Sequence, residues 1–328
     1  MEFGLFNLTQ YDAAEPPDEV WGTARDIAVR VDELGFDSLW FGEHHVTPED
    51  QYIQAPVALA AAAEATENVT LAAGAMLLPL YNPVHAAELT ASIDAVSGGR
   101  LWVAAGLGYR DEEFEAFGVE KSDRVARLVE GIMLLRRLWT EDGVSFDGKV
   151  HQFEDVTINP KPVQDPGPPI LVGGYVDAAG RRAARFGDSW FFGNIASRKE
   201  MARQFEVYRE AVAEHGREEE TFTPPVFREA FVLPDEEEAY DTVRPYLQEK
   251  YESYAGWGLD SVDLAGDFRN AGEGRFLIGS PATVLEEIDR YADHGVEHIV
   301  ARIQFPGMPA EDAMRSIETI ADEVLPQL

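Results

Sequence analysis

Short apolar, β-prone runs alternate with helical stretches eight times along this chain, and few architectures accommodate that rhythm. Phe3–Leu8 opens the series as a strand. Pro16-Pro17-Asp18 then starts a helix carrying Val20, Ala24, Ile27, Val31 and Leu34 at helical spacing, and Gly35 stops it. Further strands are expected at Asp37–Gly42, Val69–Leu78, Leu101–Gly106, Pro169–Gly173, Ser189–Phe192, Val226–Leu233 and His298–Gln304. Helices are expected at Pro56–Thr66, Val84–Val96, Glu112–Phe117 with Arg124–Trp139, Asp177–Phe186, Glu200–His215, Glu236–Tyr254, Pro281–His294 and Ala310–Val324. The pattern predicts an α/β fold, a (β/α)8 TIM barrel with insertion segments, as one domain over residues 1–328.

Two stretches lie outside the repeat. Val144–Asp155 alternates and carries Asp147-Gly148, a hairpin signal. Gly256–Gly274 is glycine-rich and reads as a lid or a tolerated surface loop.

Charge narrows the partners. The chain has 60 acidic against 27 basic residues, a formal charge of −33, and only five of the basic residues are lysines. So acidic a protein has no electrostatic basis for gripping nucleic acid or an anionic membrane. The acidic residues are spread over the whole chain, which points to salt-rich surroundings, where the Debye length falls to about 3 Å near molar salt. The longest apolar runs, Ala55–Ala63 and Leu71–Leu80, are too short to span a bilayer. Met1-Glu2-Phe3-Gly4 lacks the basic start of a signal peptide, so a cytoplasmic protein is expected. With no cysteine there is no disulfide, thiolate zinc site or cysteine nucleophile.

Active sites of such barrels lie at the C-terminal ends of the strands. The second strand ends in Gly42-Glu43-His44-His45, which reads as catalytic, metal-binding or a polar loop. Neighbours on an extended chain point opposite ways, so one histidine is expected in the barrel mouth. No metal site is expected, because His85, His294 and His298 stand apart from any ligand cluster. Of Trp190, Phe191 and Phe192, most are expected in the core and one beside a substrate. Arg228 and Arg302 sit among apolar neighbours in strands, where an internal carboxylate or a phosphate-bearing ligand would have to meet them.

A set of segments, taken in order, resembles the bacterial luciferase-like family of flavin-dependent monooxygenases. They are Phe3-Gly4, Gly35-Phe36-Asp37-Ser38-Leu39-Trp40, Glu43-His44-His45, Leu78-Pro79, Asn82-Pro83-Val84 and Ser97-Gly98-Gly99-Arg100-Leu101. Glu113-Phe114-Glu115-Ala116-Phe117-Gly118, Pro169–Gly174, Ala183-Ala184-Arg185-Phe186-Gly187-Asp188, Tyr251-Glu252-Ser253-Tyr254, Gly279-Ser280-Pro281 and Glu323-Val324-Leu325-Pro326 continue it over essentially the full chain. The resemblance implies reduced FMN, supplied by a separate flavin reductase as a transient partner. Oxygen would be captured as a C4a-peroxyflavin to oxidise a small organic substrate. The same superfamily implies an alternative, hydride transfer with the deazaflavin coenzyme F-420, and one of another class, a non-catalytic flavin-binding barrel subunit. Homo-oligomers, dimers or tetramers built on helices two and three, are a further family expectation.

Residue by residue, the resemblance makes His44 catalytic, facing the flavin and assisting its reaction with oxygen, and gives His45 an orienting or structural role. It places a non-proline cis peptide at Gly74-Ala75, before Met76, against the flavin; a close backbone approach is the plainer reading of Gly74. Gly173-Gly174-Tyr175 leads into a helix N-terminus suited to the flavin phosphate. Luciferases carry hydroxyl side chains there, where this chain has Val176, Asp177, Ala178 and Ala179. Leu107 replaces an arginine of the loop after strand four, within Gly106-Leu107-Gly108-Tyr109-Arg110, and Arg110 is expected to substitute. Phe6, His45, Trp190 and Tyr254 are expected around the substrate. An anionic cofactor on so acidic a chain needs local cations against the global field.

Overall fold

The computed structural model describes residues 1–7, 10–48, 50–256, 264 and 267–328. Eight parallel strands close a barrel: β1 (Glu2–Asn7), β3 (Ser38–Phe41), β5 (Thr70–Met76), β6 (Leu101–Ala105), β9 (Ile170–Gly174), β10 (Ser189–Phe192), β11 (Val226–Val232) and β13 (His298–Arg302). Each pairs with the next, β13 returns to β1, and the seam between β10 and β11 is the single pair Phe192↔Val226. Two short antiparallel ribbons are added. β2 (Gln10–Asp12) pairs with β4 (Asp50–Tyr52) at the strand ends, and β7 (Val144–Asp147) with β8 (Gln152–Val156) as the expected hairpin.

A ninth parallel strand was not legible in the sequence. β12 (Phe276–Gly279) lies along the second half of β11, from Glu229 to Val232. The expected third strand also ends early, at Met76, with a register irregularity between Gly74 and Met76 and a 3-10 turn at Leu78–Leu80. The α-helices are α1 (Pro17–Glu33), α2 (Ala55–Ala65), α3 (Pro83–Ser97), α4 (Asp111–Ala116), α5 (Arg124–Thr140), α6 (Asp177–Phe186), α7 (Arg198–Glu214), α8 (Glu236–Gly256), α9 (Phe268–Gly272), α10 (Pro281–Ala292) and α11 (Ala310–Thr319), the last continued by a π-helical turn at Ile320–Val324. No helix among the described residues is long and apolar enough to cross a membrane. Residues 257–263 and 265–266, where the glycine-rich stretch was read as a lid, lie outside the described residues.

The inside of the barrel decides where a ligand can go. Trp40, Ala72, Ala104, Leu171 and Val300 fill its middle, with the Trp40 ring stacked on Phe191 at 4.5 Å. Below them, Trp40 Nε1 and the His298 ring meet the Ser38 hydroxyl at 2.8 Å each, and Glu2 lies 3.1 Å from His298 Nδ1. The lower half is therefore plugged. The strands' upper ends remain open.

Candidate active site

The open end holds a cavity of about 600 Å³, within the range of small-molecule sites. Its floor is aromatic: Phe6 stacks on Phe227 at 4.6 Å, and Phe191 on Phe227 at 6.0 Å. Gln10 and Tyr52 reach it from the β2–β4 ribbon, and Tyr52 meets the His44 ring edge to face at 5.5 Å.

His44 enters the cavity from the end of β3. Its Nδ1 lies 2.9 Å from Glu113 Oε1, which also accepts the His45 amide at 3.0 Å and has Arg110 Nη1 at 3.7 Å. Glu113 is fully buried. Burial alone would push its carboxyl up, but His44, the His45 amide and Arg110 together hold it below the ordinary carboxylate range. An ionised carboxylate only accepts, so it fixes the proton on Nδ1 of His44 and leaves Nε2 towards the cavity, where the Tyr109 hydroxyl stands 3.4 Å away. The pair can hold and pass a proton at Nε2.

The Gly74–Ala75 peptide is cis, and both residues line the cavity with Gly106, Leu107, Gly108 and Tyr109. Gly173, Gly174 and Tyr175 line it as β9 gives way to α6. A Cβ on Gly173 would meet no atom closer than 3.5 Å, so the absent side chain is not demanded by the protein's own packing. At Gly173 the bare backbone opens space in the cavity wall.

Two arginines that the sequence did not single out stand at the rim beside this turn. Ala178, Ala179 and Arg182 line the cavity at one-turn spacing on α6, and Arg124 opens α5 opposite. Arg124 donates to the Gly108 carbonyl at 3.4 Å. The Arg182 guanidinium lies below its ordinary value, through burial first and the neighbouring charge of Arg124 second. Among the described residues neither arginine has a carboxylate within ion-pair distance, and Val125 and Val176 lie half-exposed beside them. With Arg302, three arginines line this cavity against one carboxylate, Glu43, among the described residues. The cavity wall is thus cationic in a chain of charge −33.

Several expected site residues lie elsewhere. Arg110 does not reach the rim: the chain turns at Gly108 (φ 74°), and the buried guanidinium runs behind the loop to the carbonyls of His45 (2.8 Å) and Val46 (3.3 Å). It braces the turn that carries His44. His45 does not line the cavity; its ring is tilted against Phe117 at 4.7 Å. Met76 is buried in the core between barrel and helices. Trp190 also points outwards, onto Phe205, Tyr208 and Gly180, where any Cβ would be 2.9 Å from its ring; the residue of β10 inside the cavity is Phe191. The Tyr254 side chain lies outside the described residues. No metal-ligating group of three or more residues occurs among those described.

Comparison with known proteins adds names to this geometry. A family model described as luciferase-like monooxygenase matches residues 1–298. An F420-dependent glucose-6-phosphate dehydrogenase of Intrasporangium calvum is 30% identical over 323 residues, covering 92% of this chain and 93% of its own. An FMNH2-dependent dimethylsulfone monooxygenase of Pseudomonas putida is 32% identical over 260 residues, 72% of this chain and 70% of its own. Among solved structures, a monooxygenase from Streptomyces bottropensis superposes with a TM-score of 0.85 at 28% identity, over 100% of this chain and 99% of that one.

Proposed function

The chain belongs to the luciferase-like monooxygenase family, a family of flavin- and deazaflavin-dependent oxidoreductases, and from that premise we propose that it is a monooxygenase using reduced FMN and oxygen on a small organic substrate. The observation that carries the proposal is His44, held in one tautomer by buried Glu113 at the mouth of a cavity whose rim bears an arginine pair. Bound there, the reduced flavin would supply the activation of oxygen, which no side chain provides.

The residues present fit such a group. Gly74, Ala75, Gly106 and Gly173 offer backbone and small side chains to a flat ring system, and the turn at Gly173–Tyr175 offers amides to its phosphate. Arg124 and Arg182 take the role that Arg110 was expected to fill. His44, its Nδ1 proton fixed by Glu113, offers Nε2 to the cavity as a proton acceptor, and Phe6, Phe191 and Phe227 exclude water from the floor. A second reading, hydride transfer with coenzyme F420, is favoured by the Intrasporangium relative, which covers more of the chain than the Pseudomonas one. It uses the same acceptor, Nε2 of His44.

Anaerobic titration of the protein with reduced FMN and with reduced F420 tests the choice. The proposal expects FMN to bind and to consume oxygen in a reductase-coupled assay; tight F420 binding with none of FMN overturns it in favour of the second reading.

The arginine pair has its own signature. Replacing Arg124 and Arg182 together by methionine is expected to weaken FMN binding about 10- to 100-fold and to leave riboflavin, which lacks the phosphate, unchanged. Fluorescence titration of both flavins measures the difference. In the wild type, FMN affinity is expected to rise from dilute to moderate KCl, because salt screens the long-range repulsion of the −33 chain more than the close contact; the same titration across KCl checks it.

A further inference from the structure

The cavity has a second cationic wall, away from the rim, that the cofactor reading leaves unused. Arg302 ends β13 and lines the cavity while almost fully buried. Its Nη2 donates to Gln10 Oε1 at 3.0 Å, and the Gln10 amide donates onward to Asp50 Oδ2 at 3.1 Å, which fixes the orientation of the glutamine. The guanidinium lies over Phe6 at 6.0 Å and Phe305 at 5.7 Å. Beside it on the wall stands Asn194, whose Nδ2 donates to buried Glu229, itself paired with buried Lys250. Glu229 and Arg302 are register partners across β11 and β13.

We propose that the Arg302 wall, with Gln10 and Asn194 flanking it, receives a carboxylate of the organic substrate, whose apolar body lies over Phe6, Phe191 and Phe227. The assignment deepens the reading of this cavity as the active site and rests on it. A guanidinium never sheds its proton, and its planar fork matches a carboxylate with two parallel bonds, so in an apolar wall it gains most from an anionic acceptor. Arg302 also bears on the buried pair behind the wall: the Lys250 ammonium is depressed, by burial first and by the charge of Arg302 next, against the opposing pull of Glu229. A dianion such as phosphate suits the wall less, because Glu229 and Asp50 stand directly behind its two amides. The rim pair Arg124–Arg182 faces no such carboxylates, so the two ends divide the anions, phosphate at the rim and carboxylate within.

The test compares acids with their neutral amides of the same shape: phenylacetate with phenylacetamide, and octanoate with octanamide. Binding of each to the whole protein is measured by calorimetry, with and without saturating FMN. At least one acid is expected to bind on the order of tenfold tighter than its amide in the wild type. Arg302→Met should remove that advantage, Arg302→Lys should keep part of it, and Arg182→Met should leave it intact. Thermal unfolding of each variant establishes that it is folded. The proposal is overturned if no acid exceeds its amide in the wild type, or if the advantage survives in folded Arg302→Met. An acid preference that depends on Arg302 in a protein that fails to bind FMN supports this assignment and fails the cofactor reading, so the two outcomes are separable.

Discussion

Turnover of a Glu113→Gln variant is expected to fall about 10²- to 10⁴-fold, with cofactor affinity unchanged. The glutamine amide keeps the volume and one acceptor but removes the charge that fixes the proton on His44 Nδ1. The imidazole can then present its other tautomer, with a donor where the chemistry needs an acceptor at Nε2. Under either cofactor the loss should appear in the chemical step and not in binding, because Glu113 is fully buried behind His44 and does not itself line the cavity. Rapid-mixing measurement of cofactor oxidation, beside an equilibrium titration of the cofactor, separates the two. His44→Ala should cost a similar factor, and the double variant little more, since the residues act as a unit. A pH dependence accompanies the pair. The Glu113 carboxyl sits below its ordinary value in the folded protein, so its stabilisation is fully present above the unfolded value of about 4.3 and is lost as pH falls through the folded one. Glu113→Gln should lose stability less steeply than the wild type in acid unfolding below about pH 4.

The barrel was legible because its signals are local: short β-prone runs, helical spacing, and glycine or proline at the boundaries. The strands that escaped, Gln10–Asp12, Asp50–Tyr52 and Phe276–Gly279, have three or four residues each, too short to show a period. Within the site, legibility failed wherever orientation or distance in sequence decides. All four residues of β10 are buried, inside the barrel or beneath the helices, so hydrophobicity could not say whether Trp190 or Phe191 faces the ligand. Glu113 sits in the run Asp111–Glu115, which reads as a solvated helix face; one of its carboxylates turns inward to a histidine 69 positions away. Arg124 and Arg182 come together only through the packing of α5 near α6. A signal for Arg182 did exist in the α6 sequence, since Ala178 and Arg182 share a helix face leading off the turn at Gly173–Tyr175. Arg110 was the attractive choice by proximity in sequence, and the positive φ of Gly108 diverts it.

Glu229→Ala is expected to destabilise the protein by about 3–5 kcal/mol, the cost of leaving a buried partner charge uncompensated. Lys250 and Glu229 are both enclosed, and Lys250 and Asn194 both donate to the same carboxylate oxygen, Oε1. Removing the carboxylate leaves Lys250 facing Arg302 in an apolar surround, with Phe305 and Tyr251 close by. A Glu229→Leu, Lys250→Met double variant removes both charges and should recover much of the loss, because well-packed apolar groups replace a buried pair at little cost. Urea unfolding of the two variants and the wild type distinguishes these cases. The wild type carries its own sign of the strain. Burial first, and Arg302 second, depress the Lys250 ammonium from its ordinary value to about 7. In that window the unfolded chain binds the proton that the folded one sheds, so this residue's contribution to stability rises as pH climbs from about 7 towards about 10. Lys250→Met should flatten that rise, and an unchanged slope in the variant would mean that Lys250 stays charged on its carboxylate throughout. The charge that holds Asn194 on the cavity wall is thus the same charge whose removal is expected to destabilise the fold.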